Sequence, residues 1–185
     1  GSSRRATESA EKFEKLAERF EGQRNFMHLV TDSQPNAIAI YDSDGHYRWF
    51  NKVVVAHSGL ERKDLFDKHV TAVLGPVEGK KIAGWVKECL AKGEPMSITH
   101  DMQIDGGDEL VFRSDLIPLE ERHDVPAGVL MVSQDITDSV RERKRREQAM
   151  RDLVGALVSV VNRRDPYSAN HSVRVSEVSR AVAEE

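Results

Sequence analysis

Five short segments between residues 25 and 137 alternate apolar and polar residues, as β-strands do. The first two lie in "NAIAIYDSDGHYRWFN", where the alternation breaks at Ser43-Asp44-Gly45 and resumes at Tyr47. This pattern is typical of a hairpin with a glycine turn. The last three are "PMSITHDMQI", "ELVFRSDLIPLEE" and "AGVLMVSQDIT", joined by the turn-like "DGGD" and "RHDVP". Two strands, a helical middle and three strands predict an α+β fold, an antiparallel five-stranded sheet with helices on one face.

The middle of this region is predicted to be helical. "KVVVAHSGL" and "RKDLF" indicate two short helical pieces, and "VEGKKIAGWVKECLAKG" indicates a longer helix that stops at Gly93. One face of the longer helix is apolar, with Ile82, Trp85, Val86, Cys89 and Leu90. We therefore expect Cys89 to be a buried structural thiol. Because Cys89 is the single cysteine, the chain cannot form an internal disulfide, which is consistent with a reducing compartment.

The N-terminal segment, residues 1–24, is predicted to be an amphipathic helix. Small or apolar residues recur four and three apart at Ala6, Ala10, Phe13, Ala17 and Phe20. Such spacing is typical of a coiled-coil seam, in which Phe13 and Phe20 would contact a second chain. A single helix that lies on its own domain is the alternative.

A second heptad pattern begins at the end of the last strand and defines a helix over residues 138–162. Its seam positions are spaced four and three apart at Ile136, Val140, Arg143, Glu147, Met150, Val154, Leu157 and Val161. The predicted dimer contacts are Ile136, Val140, Met150, Val154 and Leu157. The charged residues Arg143 and Glu147 occupy two consecutive seam positions and weaken the packing in the middle of the predicted coiled coil. The two helices could shift there during switching. We interpret "RERKRRE" as a solvated flank of the coil rather than a nucleic-acid or membrane patch.

Composition excludes several classes of partner. A formal net charge of −4 provides no basic field for nucleic acid. No apolar run reaches the roughly 18 residues of a membrane helix, so a cytoplasmic location is expected. The opening "GSS" resembles a cloning remnant, so the natural protein is expected to extend upstream, where a membrane anchor could lie.

Individual residues in the central region resemble those of PAS domains. Asn51 stands after the second strand, where these domains often carry an asparagine that caps the next helix. "DKHVTAVLG" and "GEPMSI" are similar to the ligand loop and the third-strand entry of a PAS subfamily, and "DIT", Asp135 to Thr137, matches the junction with the output helix. The resemblance spans residues 25–137 and implies a PAS fold flanked by coiled-coil helices, with a ligand pocket between the sheet and its helices.

The resemblance leaves the ligand open. The cysteine motif of flavin photoreceptors is absent, and the long helix lacks the axial histidine of oxygen-sensing haem domains. Candidate pocket residues are His69, Trp85, His100 and Arg113. For His100 a hydrogen bond within the sheet is the alternative to ligation, and for Arg113 a surface or cross-strand ion pair is the alternative to binding an acidic ligand.

The last segment, residues 163–185, carries a different signature. A helix that starts near Ala169 would place His171, Val175, Val178 and Val182 on one stripe, where His171 could be a packed core histidine or a metal ligand. "VSVVNRRDPYSANHSVRVSEVSRAVAEE" resembles the start of HD-GYP domains, which hydrolyse cyclic di-GMP with iron or manganese ions. The resemblance implies that His171 is a metal ligand in the complete domain. The other ligands of that family are missing before Glu185, so this chain alone is not expected to be an enzyme.

These features predict a bacterial signalling module, a PAS sensor that forms a homodimer and controls an HD-GYP phosphodiesterase. A small molecule could occupy its pocket. Two alternatives remain open: the PAS input domain of a sensor histidine kinase, and a ligand-free PAS dimerisation module.

Overall fold

The computed structural model describes residues 2–103, 107–122 and 126–164. The chain divides after Thr137 into two compact units. Within the described ranges there are five helices and five strands: α1 (Ser2–Asp32), β1 (Ala37–Asp42), β2 (Tyr47–Phe50), α2 (Lys52–Ser58), α3 (Arg62–Leu65), α4 (Val70–Lys92), β3 (Met96–Gln103), β4 (Glu109–Leu119), β5 (Gly128–Asp135) and α5 (Thr137–Arg164).

The five strands form one antiparallel sheet in the order β2-β1-β5-β4-β3. Helix α2 contacts β1, and helix α4 contacts β3, β4 and β5. The predicted fold class is therefore confirmed. The sequence pattern did not indicate that the first strand pairs with the last, yet β1 is paired with β5 along the whole length of β1, from Ala37 opposite Ser133 to Asp42 opposite Gly128.

The core lies between the sheet and helices α2 and α4. Its large fully buried side chains include Tyr47, Leu65, Val70, Val86 and Leu116. Cys89 is also fully buried, as predicted, and its Sγ lies 3.6 Å from the carbonyl oxygen of Glu94. Burial, with a smaller contribution from Glu88, raises the pKa of the Cys89 thiol, so this thiol stays protonated and unreactive.

Helix α4 begins earlier than the sequence pattern indicated. The PAS resemblance implies a loop at "DKHVTAVLG", but Val70 starts a helical turn that His69 caps by accepting a hydrogen bond from the Thr71 backbone N–H. The helix kinks at Gly75 (φ 81°), immediately before Pro76. A Cβ atom on Gly79 would lie 2.4 Å from Thr71 Cα. The two parts of α4 can pack this closely only because residue 79 has no side chain.

Several predicted local features are confirmed. Gly45 has φ 89° in the β1–β2 turn, and Gly93 ends α4 in the left-handed conformation (φ 67°). The turns "DGGD" and "RHDVP" fall in part on residues 104–106 and 123–125, which lie outside the described residues.

The helix limits differ from the predicted segment boundaries at both ends of the chain. Helix α1 continues past residue 24 to Asp32, and α5 continues past residue 162 to Arg164. His171 and the rest of residues 165–185 lie outside the described residues.

Candidate functional site

A cavity of about 60 Å³ lies between the sheet and helices α2 and α4. It is lined by Ala37, Ala39, Tyr41, Tyr47, Val54, His57, Ser58, Leu74, Ile82, Met102, Phe112, Met131 and Ser133. A space of this size holds a few waters or a ligand of a handful of atoms. Pockets for larger ligands such as flavin or haem are typically about 300–1,000 Å³, so this conformation does not accommodate them.

Two tyrosines form the most enclosed polar part of the cavity wall. The rings of Tyr41 and Tyr47 lie 4.8 Å apart, and both side chains are buried. Burial raises the pKa of Tyr41 well above its usual value, with a further contribution from Tyr47. Burial also raises the pKa of Tyr47, against an opposing hydrogen-bond contribution from Tyr41. Both phenols therefore remain neutral and can donate as well as accept hydrogen bonds.

A row of polar side chains crosses the inner face of the sheet from β3 to β5. His100 Nε2 lies 2.8 Å from Ser114 Oγ, which lies 2.8 Å from Ser133 Oγ. Ser133 lines the central cavity, whereas His100 lines a separate cleft with Trp85. The row thus connects the cavity to a second concave surface, a connection that the sequence pattern did not reveal because it depends on strand register.

The other predicted pocket residues lie elsewhere. His69 Nε2 is 2.8 Å from the Asp44 carbonyl oxygen, so this side chain joins the start of α4 to the hairpin turn. Arg113 is exposed, and its Nη2 donates to Gln134 Oε1 at 3.3 Å across the β4–β5 pair. Neither residue lines the central cavity.

Asp42 organises the β1–β2 turn. Its Oδ1 accepts from the backbone N–H groups of Asp44 (3.0 Å) and His46 (2.9 Å), and its Oδ2 accepts from Arg48 Nε and Nη2. The carboxylates of Asp42 and Asp44 and the His46 ring lie close enough to hold a metal ion. Because hydrogen-bond donors already occupy both Asp42 oxygens, and one donor is the Arg48 cation, this cluster is a structural hydrogen-bond centre rather than a metal site.

Asn51 is completely buried, and both the oxygen and the nitrogen of its side-chain amide form hydrogen bonds. Its Oδ1 accepts from the backbone N–H groups of Ile38 (3.1 Å) and Val54 (3.3 Å). Its Nδ2 donates to the carbonyl oxygens of Thr31 (3.0 Å) and Asn36 (2.9 Å). The predicted helix-cap role is confirmed, and the side chain also connects the end of α1 to the sheet.

The "DIT" segment joins the sheet to the last helix. Thr137 is buried, and its Oγ1 accepts from the Val111 backbone N–H of β4 at 2.9 Å. Thr137 Oγ1 also donates to Asp135 Oδ1 (2.5 Å), and the Ile136 N–H donates to the Val111 carbonyl oxygen (2.8 Å). The first residue of α5 is therefore fixed to strands β4 and β5 by side-chain and backbone hydrogen bonds.

Apolar side chains on the flanking helices are exposed in the single chain. Phe13 and Phe20 on α1 are 73% and 63% exposed. On α5 the exposed set is Met150, Leu153, Val154, Leu157, Val158, Val160 and Val161. At about 100° per residue, these α5 positions cover a stripe wider than a coiled-coil seam. Leu153, Val158 and Val160 are exposed although they are not predicted seam positions.

Comparison with known proteins identifies the first unit. A family model described as PAS fold matches residues 31–141, which is more than half of the 185 residues. The chain belongs to the PAS fold family. Within this PAS domain, the match ends four residues after the "DIT" segment, in the first turns of α5.

Solved structures show the same PAS fold. The PAS domain of Bordetella pertussis BvgS aligns at 22% identity with a TM-score of 0.53, over 73% of this chain and 98% of that domain. Vibrio cholerae VqmA aligns at 14% identity with a TM-score of 0.52, over 58% of this chain and 49% of that one. At these identities the likeness concerns the fold alone. No curated protein sequence matches this chain.

None of the helices in the described ranges is both long and apolar enough to cross a membrane.

Proposed function

We propose that this chain is the sensory and regulatory PAS module of a bacterial signalling protein. In this proposal residues 1–24 and 138–162 are dimerising helices, residues 25–137 are the sensor, and residues 163–185 begin the output domain. The observation that carries the proposal is the anchoring of α5 at Thr137, because it ties a helix that leads towards the C-terminus to the strands of the sheet.

Strand β5 gives a physical route for the signal. Met131 and Ser133 line the central cavity, and Asp135 on the same strand holds Thr137. A change in the contents or shape of the cavity would move β5 and alter these hydrogen bonds. A ligand can shift the equilibrium between two helix positions only by the difference between its affinities for them.

Dimerisation rests on the exposed apolar stripes of the flanking helices. In this proposal Phe13, Phe20, Met150, Val154 and Leu157 contact a second chain, because contiguous exposed apolar surface marks an interaction site. Ile136 and Val140 are partly buried within the single chain, so their contribution to the interface is smaller.

For the output we propose an HD-GYP phosphodiesterase, on the resemblance of residues 163–185 to the start of that family. His171 would supply one ligand to the iron or manganese ions of the complete domain. One histidine cannot hold a binuclear centre, so hydrolysis of cyclic di-GMP belongs to the complete protein and not to this chain.

The small cavity supports a second candidate function, a ligand-free dimerisation module. Tyr41, Tyr47 and Phe112 line the central cavity, whose volume is only about 60 Å³. In such a module the PAS domain would transmit changes in dimer contacts instead of ligand occupancy.

The output assignment is tested with the full-length protein that contains this chain, incubated separately with cyclic di-GMP and with labelled ATP. We expect hydrolysis of cyclic di-GMP to a linear dinucleotide or to GMP, and loss of this activity in His171→Ala. Label transferred from ATP to the protein would identify a histidine kinase instead. Absence of both reactions would also contradict the proposed output.

A further inference from the structure

The wall of the central cavity contains one hydroxyl proton that no described residue accepts. Tyr41 and Tyr47 line the cavity and are only 4% and 1% exposed. Their hydroxyl groups share one hydrogen bond, in which Tyr41 donates to Tyr47. Within the described ranges neither hydroxyl has another hydrogen-bond partner. Two protons and one shared bond leave the Tyr47 proton unpaired, and a buried donor of this kind indicates a ligand atom that accepts it.

The other hydroxyl groups on the cavity wall already have acceptors for their protons. Ser58 Oγ donates to the Val55 carbonyl oxygen at 2.8 Å. Ser133 Oγ lies 2.8 Å from Ser114 Oγ, which lies 2.8 Å from His100 Nε2. Both of these serine protons are paired when Ser133 donates to Ser114 and Ser114 donates to the ring nitrogen. The unmet requirement of the cavity is therefore a single acceptor at the tyrosine pair.

The size and the lining of the cavity restrict the rest of the ligand. A volume of about 60 Å³ holds about three or four non-hydrogen atoms. Most of the wall is apolar, formed by Ala37, Ala39, Val54, Leu74, Ile82, Met102, Phe112 and Met131. Among the described lining residues there is no Asp, Glu, Lys or Arg, and the ring of His57 packs against that of Phe112. A charged ligand would lose its hydration here without a counter-charge, so the cavity favours a neutral one.

We propose that the central cavity binds a neutral short-chain carbonyl compound or alcohol of three or four non-hydrogen atoms. Its oxygen would accept the Tyr47 hydroxyl proton, and its alkyl part would contact the apolar wall. This inference rests on the proposed function, in which the cavity receives the stimulus, and it names the chemical class of that stimulus.

The test is a titration of the purified chain with acetone, followed by NMR of ¹³C-labelled methionine methyl groups. Met102 and Met131 line the cavity, whereas Met27 on α1 and Met150 on α5 are 56% and 61% exposed and serve as internal controls. We expect saturable shifts at the two cavity methionines and none at the controls. Acetate has the same shape as acetone but carries a charge, and it should give no saturable shift. Titration with 2-propanol separates the two ligand classes, since the tighter binder of the pair identifies a carbonyl compound or an alcohol.

The double variant Tyr41→Phe/Tyr47→Phe keeps both rings and removes both hydroxyl groups. It should weaken acetone binding about tenfold, because the ligand oxygen would be buried without a donor. If this variant fails to fold, Ala37→Val provides the second test, because its added methyl groups occupy part of the cavity and should abolish binding. The matched control is Ala56→Val at an exposed position of α2, which should bind acetone as the parent chain does.

Three results would overturn the inference: no saturable shift with acetone or 2-propanol, equal shifts with acetate, or unchanged affinity in the double variant. The first is the result expected of a cavity that holds water alone, as in the ligand-free module. Saturable binding that leaves the activity of the full-length protein unchanged would instead support the ligand class and contradict the proposed sensory route.

Discussion

At the scale of single residues, Asn51 contributes most to the connections of the PAS domain. Its four hydrogen bonds join the end of α1, the segment before β1, the strand itself and the first turn of α2. A carboxylate would lose the two donors and a serine could not reach all four partners. Asparagine is therefore required by the set of partners and not only by the preference of helix caps.

Asn51→Ala should lower the free energy of unfolding by about 2–4 kcal/mol, since it leaves buried N–H and C=O groups without partners. Urea unfolding followed by circular dichroism measures this change. The control is Asn25→Ala on the exposed face of α1, which should change the free energy by less than about 0.5 kcal/mol. An Asn51→Ala protein as stable as the control would show that water replaces the amide without cost.

At the scale of elements, the β1–β2 hairpin depends on the ionised form of Asp42. Burial raises the pKa of this carboxyl group, but hydrogen bonds from the His46 N–H, Arg48 and the Asp44 N–H outweigh it and lower the pKa overall. A lowered pKa in the folded state stabilises the fold at all pH values above the unfolded pKa, which is about 3.9. This contribution is lost as the pH falls through the folded pKa.

We therefore expect the stability of the chain to decrease below about pH 4, with Asp42 among the causes. Asp42→Asn should lower stability at neutral pH and weaken the decrease in acid, because the variant has no carboxylate to protonate at this position. Unfolding midpoints measured between neutral and acidic pH test both effects. The exposed Asp108→Asn is the control, and identical acid profiles for the two variants would contradict the role of Asp42.

At the scale of the whole molecule, the apolar stripe on α5 predicts self-association. We expect a dimer at micromolar concentration, and Leu157→Asp should raise its dissociation constant about a hundredfold or more, because a symmetric interface carries the buried charge twice. Sedimentation velocity measures the two species.

The matched control for the dimer is Ser159→Asp, which adds the same charge two residues later, about 200° round the helix axis. It should leave the dimer intact. A monomeric parent chain at these concentrations would contradict the coiled-coil prediction, and equal weakening by both variants would place the interface elsewhere.

The local features of the PAS domain could be predicted because each depends on neighbouring residues. Glycine at residues 45 and 93 adopts backbone conformations that other residues avoid, and the alternation of apolar residues indicates which strand face is buried. The pocket residues could not be predicted in the same way. His69 precedes α4 and Arg113 lies on β4, but their partners, the Asp44 carbonyl and Gln134, are set by how distant segments meet.

The sequence by itself determined the elements, their order and the apolar faces, because helix and strand periodicity and capping act over a few residues. Only the tertiary structure decided the strand order with β1 beside β5, the small volume of the cavity and the meeting of Glu78 with His100 in one cleft. These depend on strand register and on the kink at Gly75, which position groups that are far apart in the chain. A change of one residue in register would turn His100 to the opposite face of the sheet.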